Sequence, residues 1–324
     1  MEFSTALLVF LLIFVLIFLL RMPIPMGMMT ACAFYFIVSG DNPKMVAQQT
    51  LKTFYTNYTI IAVPLFIFAA NVMNSGKVTE KVFGFAMGFV GRFKGGLGHV
   101  NVLASLIFSG MTGSALADAS GLGKMEIDAM RAEGYDDGFS CAITAASATI
   151  GPIFPPSIPM VIYSMLSGAS VGALFMGGMV PGVLLAVALM IYIAFMASKR
   201  NYPTSERVQL KAFLRYTFSA IPAILTPVIL LVGIYTGVMT PTEAGAVAGL
   251  YALIVAVFGY RVLKWEGFKQ VLVDTVKATG TTSIMIGAAT CISYIVAKEQ
   301  VATTVATFIT NFTDNKYVFL LIVN

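Results

Sequence analysis

Uncharged apolar runs recur along the whole chain, separated by short interruptions rich in Gly, Pro, Lys and Arg. Thr5–Leu20 reads as a first spanning segment, closed by Arg21 and turned by Met22–Gly27, and Gly27–Val38 as a second. Asp41–Tyr58 reads as a polar connection and Thr59–Met73 as a third apolar segment. Lys77–Gly95 alternates Phe, Val and Met with Lys and Arg, the pattern of an amphipathic helix on a membrane surface. Further on, Val171–Ser198, Phe218–Gly237, Ala246–Tyr260 and Thr279–Val296 read as spans. Lys199–Arg215 reads as a basic linker with an amphipathic end, and Arg261–Asp274 as a basic surface stretch.

One stretch departs from this pattern. Ser109–Pro159 holds Gly, Ser, Thr, Asp and four prolines inside an otherwise greasy protein. It predicts two breaks. SGMTGS (Ser109–Ser114) separates apolar Asn101–Phe108 from the helix-like Ala115–Met130, which makes Asn101–Arg131 a hairpin that returns to its own side. GPIFPPS (Gly151–Ser157) separates Phe139–Ile150 from Ile158–Leu166. Each piece is too short to cross a bilayer, which takes roughly 20 residues. Broken backbone at membrane depth survives only where protein or a water-filled cavity satisfies it, and paired broken helices point to a transporter binding site.

Composition fits this reading. The 324 residues are 58% hydrophobic and 11% charged, with mean hydropathy +0.87, which places the chain among polytopic helical membrane proteins. The net charge of +5 forms no basic stripe with stacking aromatics, so nucleic acid is not an expected partner. Cys32, Cys141 and Cys291 have no metal-ligand spacing and read as free core thiols. His99, the sole histidine, reads as a loop residue at a helix foot, and no Ser/His/Asp triad is available. No Walker-type loop is present either.

The order of elements repeats. Phe218–Gly237, VMTPTEAG and Ala246–Tyr260 echo Thr5–Leu20, MPIPMG and the span after it, at a period of roughly 220 residues. If Arg21 lies inside, the hairpin reading puts 16 Lys and Arg inside and four outside, as the positive-inside rule requires. The two copies are then inverted, an arrangement used for alternating access. The chain stops within the apolar Phe319–Asn324, so a second copy of Ser109–Pro159 is expected beyond residue 324.

The two breaks hold the chemistry. Helix ends there expose carbonyls suited to a hard monovalent cation such as Na⁺, and N–H groups with a positive dipole suited to a carboxylate. Gly110, Gly113 and Gly151 permit close backbone approach, and Pro152, Pro155 and Pro156 remove donors and free carbonyls. Ser109, Thr112, Ser114, Ser147, Thr149 and Ser157 add hydroxyls, although an intrahelical bond one turn back accounts for most such residues. Asp118 is an acidic group close to an intramembrane tip, hence a functional candidate. Asn71 serves equally as a helix–helix hydrogen bonder or a substrate contact. Asp136, Asp137 and Glu243 read as helix caps, and Phe83, Phe85, Met87 and Phe89 as core or lipid contacts.

Longer stretches then align with a known family. VPLFIFAANVMNSG (Val63–Gly76), GRFKGGLGHVNV (Gly91–Val102), FSGMTGSALADASGLG (Phe108–Gly123), EGYDDGFSCAITAASATIGPIFPPSIPMVIY (Glu133–Tyr163), FMGGMVPG (Phe175–Gly182) and GVMTPTEAGAVAGLYAL (Gly237–Leu253) resemble the large membrane subunit of tripartite ATP-independent periplasmic (TRAP) transporters. The resemblance implies an all-α, inverted-repeat, elevator-type secondary transporter of the bacterial inner membrane with re-entrant hairpins and broken helices, and no enzyme activity. It implies scaffold helices in 1–58 and 199–276, a connecting span and surface arm helix in 59–100, one transport-domain half in 101–198 and the start of a second in 277–324. It implies Na⁺-coupled uptake of a small organic acid: a C4-dicarboxylate, a sialic acid or a keto-sugar acid. The implied partners are a small four-helix membrane subunit, a soluble periplasmic binding protein and the lipid bilayer. The family's first Na⁺ site would fall on Thr112 and Ser114 at the hairpin tip and on Gly151, Phe154 and Pro156 at the Pro-Pro break, mostly through main-chain oxygens. Asp118, Ser157, Ser170 and Asn71 are the substrate-path candidates, and a second Na⁺ site would lie beyond residue 324. A proton-coupled carrier or a channel of the same fold is the alternative.

Overall fold

The structure, a computed structural model, describes residues 4–74, 77–204, 210–313 and 315–323. In chain order the helices are α1 (Thr5–Leu19), α2 (Ile24–Val38), α3 (Lys44–Thr56), α4 (Ala62–Asn74), α5 (Lys77–Val90), α6 (Gly96–Thr112), α7 (Ala115–Gly121) and α8 (Gly123–Ala132). There follow α9 (Asp137–Ala148), α10 (Ile158–Ser167), α11 (Val171–Arg200), α12 (Leu210–Tyr235), α13 (Pro241–Ile254), α14 (Trp265–Lys298), α15 (Val301–Phe312) and α16 (Lys316–Val323). Among the described residues every named element is helical. Among the described residues, four segments are long and apolar enough to cross a membrane: Val171–Arg200, Lys211–Tyr235, Pro241–Gly259 and Trp265–Lys298. The chain is therefore a polytopic helical membrane protein.

Two compact units divide it, residues 1–57 with 280–324, and residues 58–279. In the first, α2 and α3 hold the C-terminal part of α14. Tyr35, Phe36 and Cys32 of α2 are fully buried in one apolar cluster with Cys291 and Ile295 of α14. Polar bonds fix the same packing: Tyr35 donates its hydroxyl to Glu299 Oε1 at 2.5 Å, Thr53 donates to Thr290 at 2.9 Å, and Lys298 pairs with Asp41. The Lys298 ammonium, and next the Ser39 hydroxyl, hold the Asp41 carboxyl below the usual carboxylate range. Gly287 is where α14 passes tightly, since a Cβ there would lie 2.7 Å from Thr50 Cγ2.

In the second unit α6 is enclosed on all sides. Leu97, Val100, Val102, Ala104, Phe108 and Met111 are buried along its length. The apolar stripe of α5, Val78, Val82, Ala86 and Val90, is buried at one-turn spacing, and Val90 and Ala86 share a cluster with Val100 and Ala104 of α6. The amphipathic pattern thus turns its apolar face to protein. On the other side of α5, Gly84 and Gly88 admit the rings of Tyr216 and Phe213 from α12. Among the aromatic residues of that helix, Phe89 is exposed and Phe83 packs on the core.

Several sequence expectations are corrected. Asp41–Tyr58 is no mere connection: α3 occupies most of it, because a helix with a polar outer face and buried Gln49 and Thr53 carries little net hydropathy. Arg261–Asp274 and Thr279–Val296 are not separate elements, since α14 runs unbroken from Trp265 to Lys298 and takes in most of the first and all of the second. Lys269 and Lys277 lower the apolar signal without breaking the helix. His99 lies buried in the first turn of α6, not in a loop. Cys141 is exposed, not a core thiol.

Candidate functional site

The hairpin break is narrower than the sequence suggests. Helix α6 continues through Ser109–Thr112, and only Gly113 and Ser114 interrupt the path into α7. Gly113 takes the left-handed conformation, φ +60°, which terminates α6 as a glycine cap does. Ser114 caps α7, its Oγ accepting from Ala117 N at 3.4 Å. The return arm is itself two helices, α7 and α8, joined at Leu122.

The second break spans the end of α9 to the start of α10. Ser157 begins α10, accepting from Met160 N at 3.4 Å, with Pro159 in the first turn where its missing N–H costs nothing. The same Ser157 hydroxyl donates to the Pro152 carbonyl at 2.5 Å, which closes the loop on itself. The Pro155–Pro156 peptide is cis.

These two breaks meet. A Cβ on Gly113 would lie 2.4 Å from the Pro156 carbonyl oxygen, and one on Gly151 would lie 3.0 Å from the Ser114 carbonyl carbon. Ile158 N donates to the Gly113 carbonyl at 3.4 Å, and a Cβ on Gly110 would lie 3.7 Å from the Phe154 ring. The structure thus brings the hairpin tip, with Thr112 and Ser114, against Gly151, Phe154 and Pro156. Among the described residues no hydrogen bond reaches the carbonyls of Gly151, Phe154 or Pro156, and the buried Thr112 hydroxyl has no partner. Unwound backbone at the break leaves these carbonyls without an intrahelical donor, so they form a concentration of free oxygen ligands.

The hydroxyls divide. Ser109 donates to Ser105 O at 2.6 Å and Thr149 to Ala146 O at 2.6 Å, the intrahelical bonds expected of such residues. Ser147 donates to Asn101 Oδ1 at 2.7 Å, Asn101 donates to Thr144 Oγ1 at 2.8 Å, and Ser105 donates to Ser147 at 3.1 Å. This buried polar seam between α6 and α9 escaped the sequence reading, although Asn101, Ser105 and Ser109 recur at one-turn spacing.

Asp118 is 1% exposed, and neither carboxylate oxygen has a hydrogen-bond partner. Glu126 on α8 is equally buried, also without a partner for either oxygen. Glu126 was missed as a candidate; an acidic residue between Met125 and Ile127 was its signal. A lone buried carboxylate is costly in an apolar interior, so the pair is a feature that calls for a ligand or a proton. The other substrate-path candidates have structural tasks. Ser157 is the cap just described. Ser170 is exposed and caps α11, accepting from Ala173 N at 3.4 Å. Asn71 donates to Thr275 Oγ1 at 3.0 Å, linking α4 to the start of α14.

At the far end of α9, Asp136 caps the helix by accepting from Phe139 N at 2.8 Å. It also accepts from Tyr202 OH and, at 2.5 Å, from Arg200. The Tyr202 hydroxyl and then the Phe139 N–H hold its carboxyl below the usual range. Asp137 accepts from Arg131 Nε at 2.5 Å. Glu243 completes a capping box with Thr240 at the start of α13. All three acids are caps or their neighbours, as their positions in the sequence suggest.

Residues 10–324 match the family described as the tripartite ATP-independent periplasmic transporter, DctM component. The sialic acid TRAP transporter large permease protein SiaM of Vibrio cholerae is 42% identical over 94% of this chain and 71% of its own length. The sialic acid TRAP transporter permease protein SiaT of Haemophilus influenzae is 37% identical over 99% of this chain, which spans 52% of that relative. The C4-dicarboxylate TRAP transporter large permease protein DctM of Pseudomonas aeruginosa is 35% identical over 87% of this chain and 67% of its own length. TRAP large permeases work with a substrate-binding protein and a small membrane subunit. An all-helical polytopic chain whose hairpin tip and Pro-Pro break meet over free oxygens thus belongs to the DctM component family of TRAP transporters, a family of inner-membrane transporter permeases rather than enzymes.

Proposed function

We propose that this chain moves an organic acid inward by Na⁺-coupled, binding-protein-dependent transport, with sialic acid the first substrate to test. The free carbonyls of Gly151, Phe154 and Pro156 against the Thr112–Ser114 tip carry the coupling reading. A small hard cation takes oxygen ligands, and main-chain carbonyls in unwound helix supply them without a charge that would bind a divalent ion more tightly. Thr112 adds a hydroxyl with no competing bond. The Na⁺ bound there would tie the hairpin tip to the break, so the substrate pocket would form only when the ion is present.

Asp118 is the strongest substrate-path residue, because its unpaired oxygens can accept hydrogen bonds from the hydroxyls of a polyhydroxylated acid. Ser157 and Ser170 would act through the helix starts they cap, and Asn71 by positioning α4. The substrate choice rests on the relatives named for sialic acid; C4-dicarboxylates stand next. Movement would be of the elevator kind, the halves in 101–198 and from 277 onward carrying the site against scaffold helices in 1–58 and 199–276, with 59–100 as connecting arm. A small four-helix membrane subunit and a soluble periplasmic binding protein complete the proposed assembly.

The test is uptake into proteoliposomes holding the full-length subunit and its small partner, with the binding protein outside. Sialic acid and succinate are compared under an inward Na⁺ gradient and an equal K⁺ gradient. Uptake requiring Na⁺ and the binding protein supports the proposal, and Thr112→Val should then raise the Na⁺ concentration for half-maximal uptake. Uptake indifferent to Na⁺ defeats it. The second reading, proton coupling, is favoured by the unpartnered Asp118 and Glu126, and an inward pH gradient that replaces Na⁺ would select it.

A further inference from the structure

A cleft of 610 Å³ opens between α5 and the start of α12, lined by Glu80, Lys81, Lys211, Arg215, Tyr216 and Ser219. Three cations face one acid. Lys211, Arg215 and Ser219 follow one another at one-turn spacing on a single face of α12, which points both charges and a hydroxyl into the same groove. Among the described residues none of the three cations forms an ion pair, although Glu80 lines the same cleft. Lys81 is held instead over the Tyr260 ring, 5.1 Å from its centre, and Tyr260 donates its hydroxyl to the Ser219 carbonyl at 2.7 Å. The Tyr216 ring sits against Gly84, where a Cβ would lie 3.3 Å away. The cleft therefore sets the Tyr216 ring beside three cations that form no ion pair among the described residues.

Its position matters as much as its charge. The span Lys211–Tyr235 begins inside the cleft, so the groove sits where a hydrophobic helix leaves the bilayer. Lys81, Lys211 and Arg215 all fall on the side that the charge asymmetry assigns to the cytoplasm. Exposed Trp265, stacked on Phe268 at 5.8 Å, lies at the start of the neighbouring span, as aromatic residues do at the headgroup level.

We infer that the Lys81, Lys211 and Arg215 cleft binds a phosphate group, and that its occupant is the headgroup of an anionic phospholipid of the cytoplasmic leaflet. Basic pockets at the ends of spans take anionic headgroups because the phosphate replaces water on several cations at once. Arg215 supplies a planar fork for two phosphate oxygens, the two lysines supply point charges, and the Tyr216 hydroxyl adds a further donor, whereas the Ser219 hydroxyl is committed to the Tyr216 carbonyl at 2.9 Å. The acyl chains would continue along the exposed apolar face of α12 at Leu214 and Phe218.

The test uses the full-length chain in detergent, stripped of lipid, with phosphatidylglycerol, phosphatidylcholine or inorganic phosphate added at equal phosphate concentration. Native mass spectrometry counts retained lipid and thermal unfolding reports stabilisation. Phosphatidylglycerol should be retained and should raise the unfolding temperature, while phosphatidylcholine does neither. Lys211→Ala and Arg215→Ala should each cut retention about fivefold, the factor equivalent to about 1 kcal/mol per cation at an anionic surface, and Lys211→Arg should restore it. Both substituted side chains are exposed, so the variants fold, and lipid-free unfolding temperatures check that they do. Equal retention of both lipids, or variants indistinguishable from the parent, overturns the site. A matching stabilisation by inorganic phosphate alone overturns the lipid as its occupant.

Discussion

Gly113 and Pro156 lie so close that a methyl group on the first would sit 2.4 Å from the carbonyl oxygen of the second. This contact is the point at which the hairpin tip and the Pro-Pro break become one site. Gly113→Ala is expected to fail on two grounds. Its left-handed backbone, φ +60°, costs a side-chain-bearing residue about 1–3 kcal/mol, and the obstructing atom is backbone, which cannot rotate away. Gly134 is the control, since its φ is +85° and nothing lies within 4 Å of its Cβ position. Gly134→Ala should lower the unfolding temperature modestly and leave Na⁺-dependent uptake intact. Gly113→Ala should abolish uptake. A Gly113→Ala protein with parental uptake would show that the two breaks do not need to touch.

Asp118 and Glu126 share burial and the lack of a hydrogen-bond partner, yet their substitutions should part company. Asp118→Asn removes charge-assisted acceptors, and uptake should fall by at least about tenfold, the loss expected of a hydrogen bond to a charged group. Glu126→Met replaces two unpaired buried oxygens with an apolar side chain of similar length, which should stabilise the fold by about 1–3 kcal/mol. Thermal unfolding of both variants, alongside uptake, separates the effects. Loss of stability in Glu126→Met would mean that Glu126 holds a partner in the folded protein.

Much of this site was legible because its chemistry is local. Gly113, Gly151 and the Pro155–Pro156 pair announce broken helices through backbone preferences that act within a few residues. Glu243 could likewise be placed at a helix start from its neighbours alone, whereas Ser157, read as a substrate-path hydroxyl, proves to cap α10. What stayed hidden depends on partners far along the chain. Whether Asn71 meets substrate or another helix turns on Thr275, 204 positions away. Whether Glu126 is a surface acid or a buried one turns on how α8 packs. The unbroken α14 was hidden for another reason: Lys269, Asp274 and Lys277 lower hydropathy, while helix formation depends on backbone hydrogen bonds that these residues do not interrupt.

Asn71 and Thr275 offer a direct measure of that tertiary link. Asn71 donates to the Thr275 hydroxyl, which in turn donates to the Val271 carbonyl at 2.7 Å, so removing Asn71 leaves no bare donor on Thr275. A double-mutant cycle of Asn71→Ala and Thr275→Ala should give a coupling energy of about 0.6 kcal/mol, typical of interhelical hydrogen bonds in membrane proteins. If Asn71 instead contacts substrate, Asn71→Ala should depress uptake while Thr275→Ala does not. Equal, small losses of stability from both, with uptake preserved, would assign Asn71 to helix packing.

Asp136 sets the acid limit of the hairpin end. Its carboxyl caps α9 and accepts from Tyr202, Arg200 and Phe139 N, and these bonds favour the ionised form. A carboxyl depressed in the folded state contributes stability that is present above its unfolded value, about 3.9. That contribution is lost as pH falls through the still lower folded value. Asp41, depressed by Lys298 and Ser39, adds in the same direction. The protein should therefore hold its stability from neutral pH to about pH 4 and lose it below. Asp136→Asn keeps an oxygen to cap the helix but gives up the charge that Arg200 and Tyr202 bind. Its unfolding temperature should lie below the parent's at pH 7, and the two curves should converge at strongly acid pH, where the parent's carboxyl is also neutral. A constant offset at every pH would instead assign the loss to altered cap geometry rather than to charge.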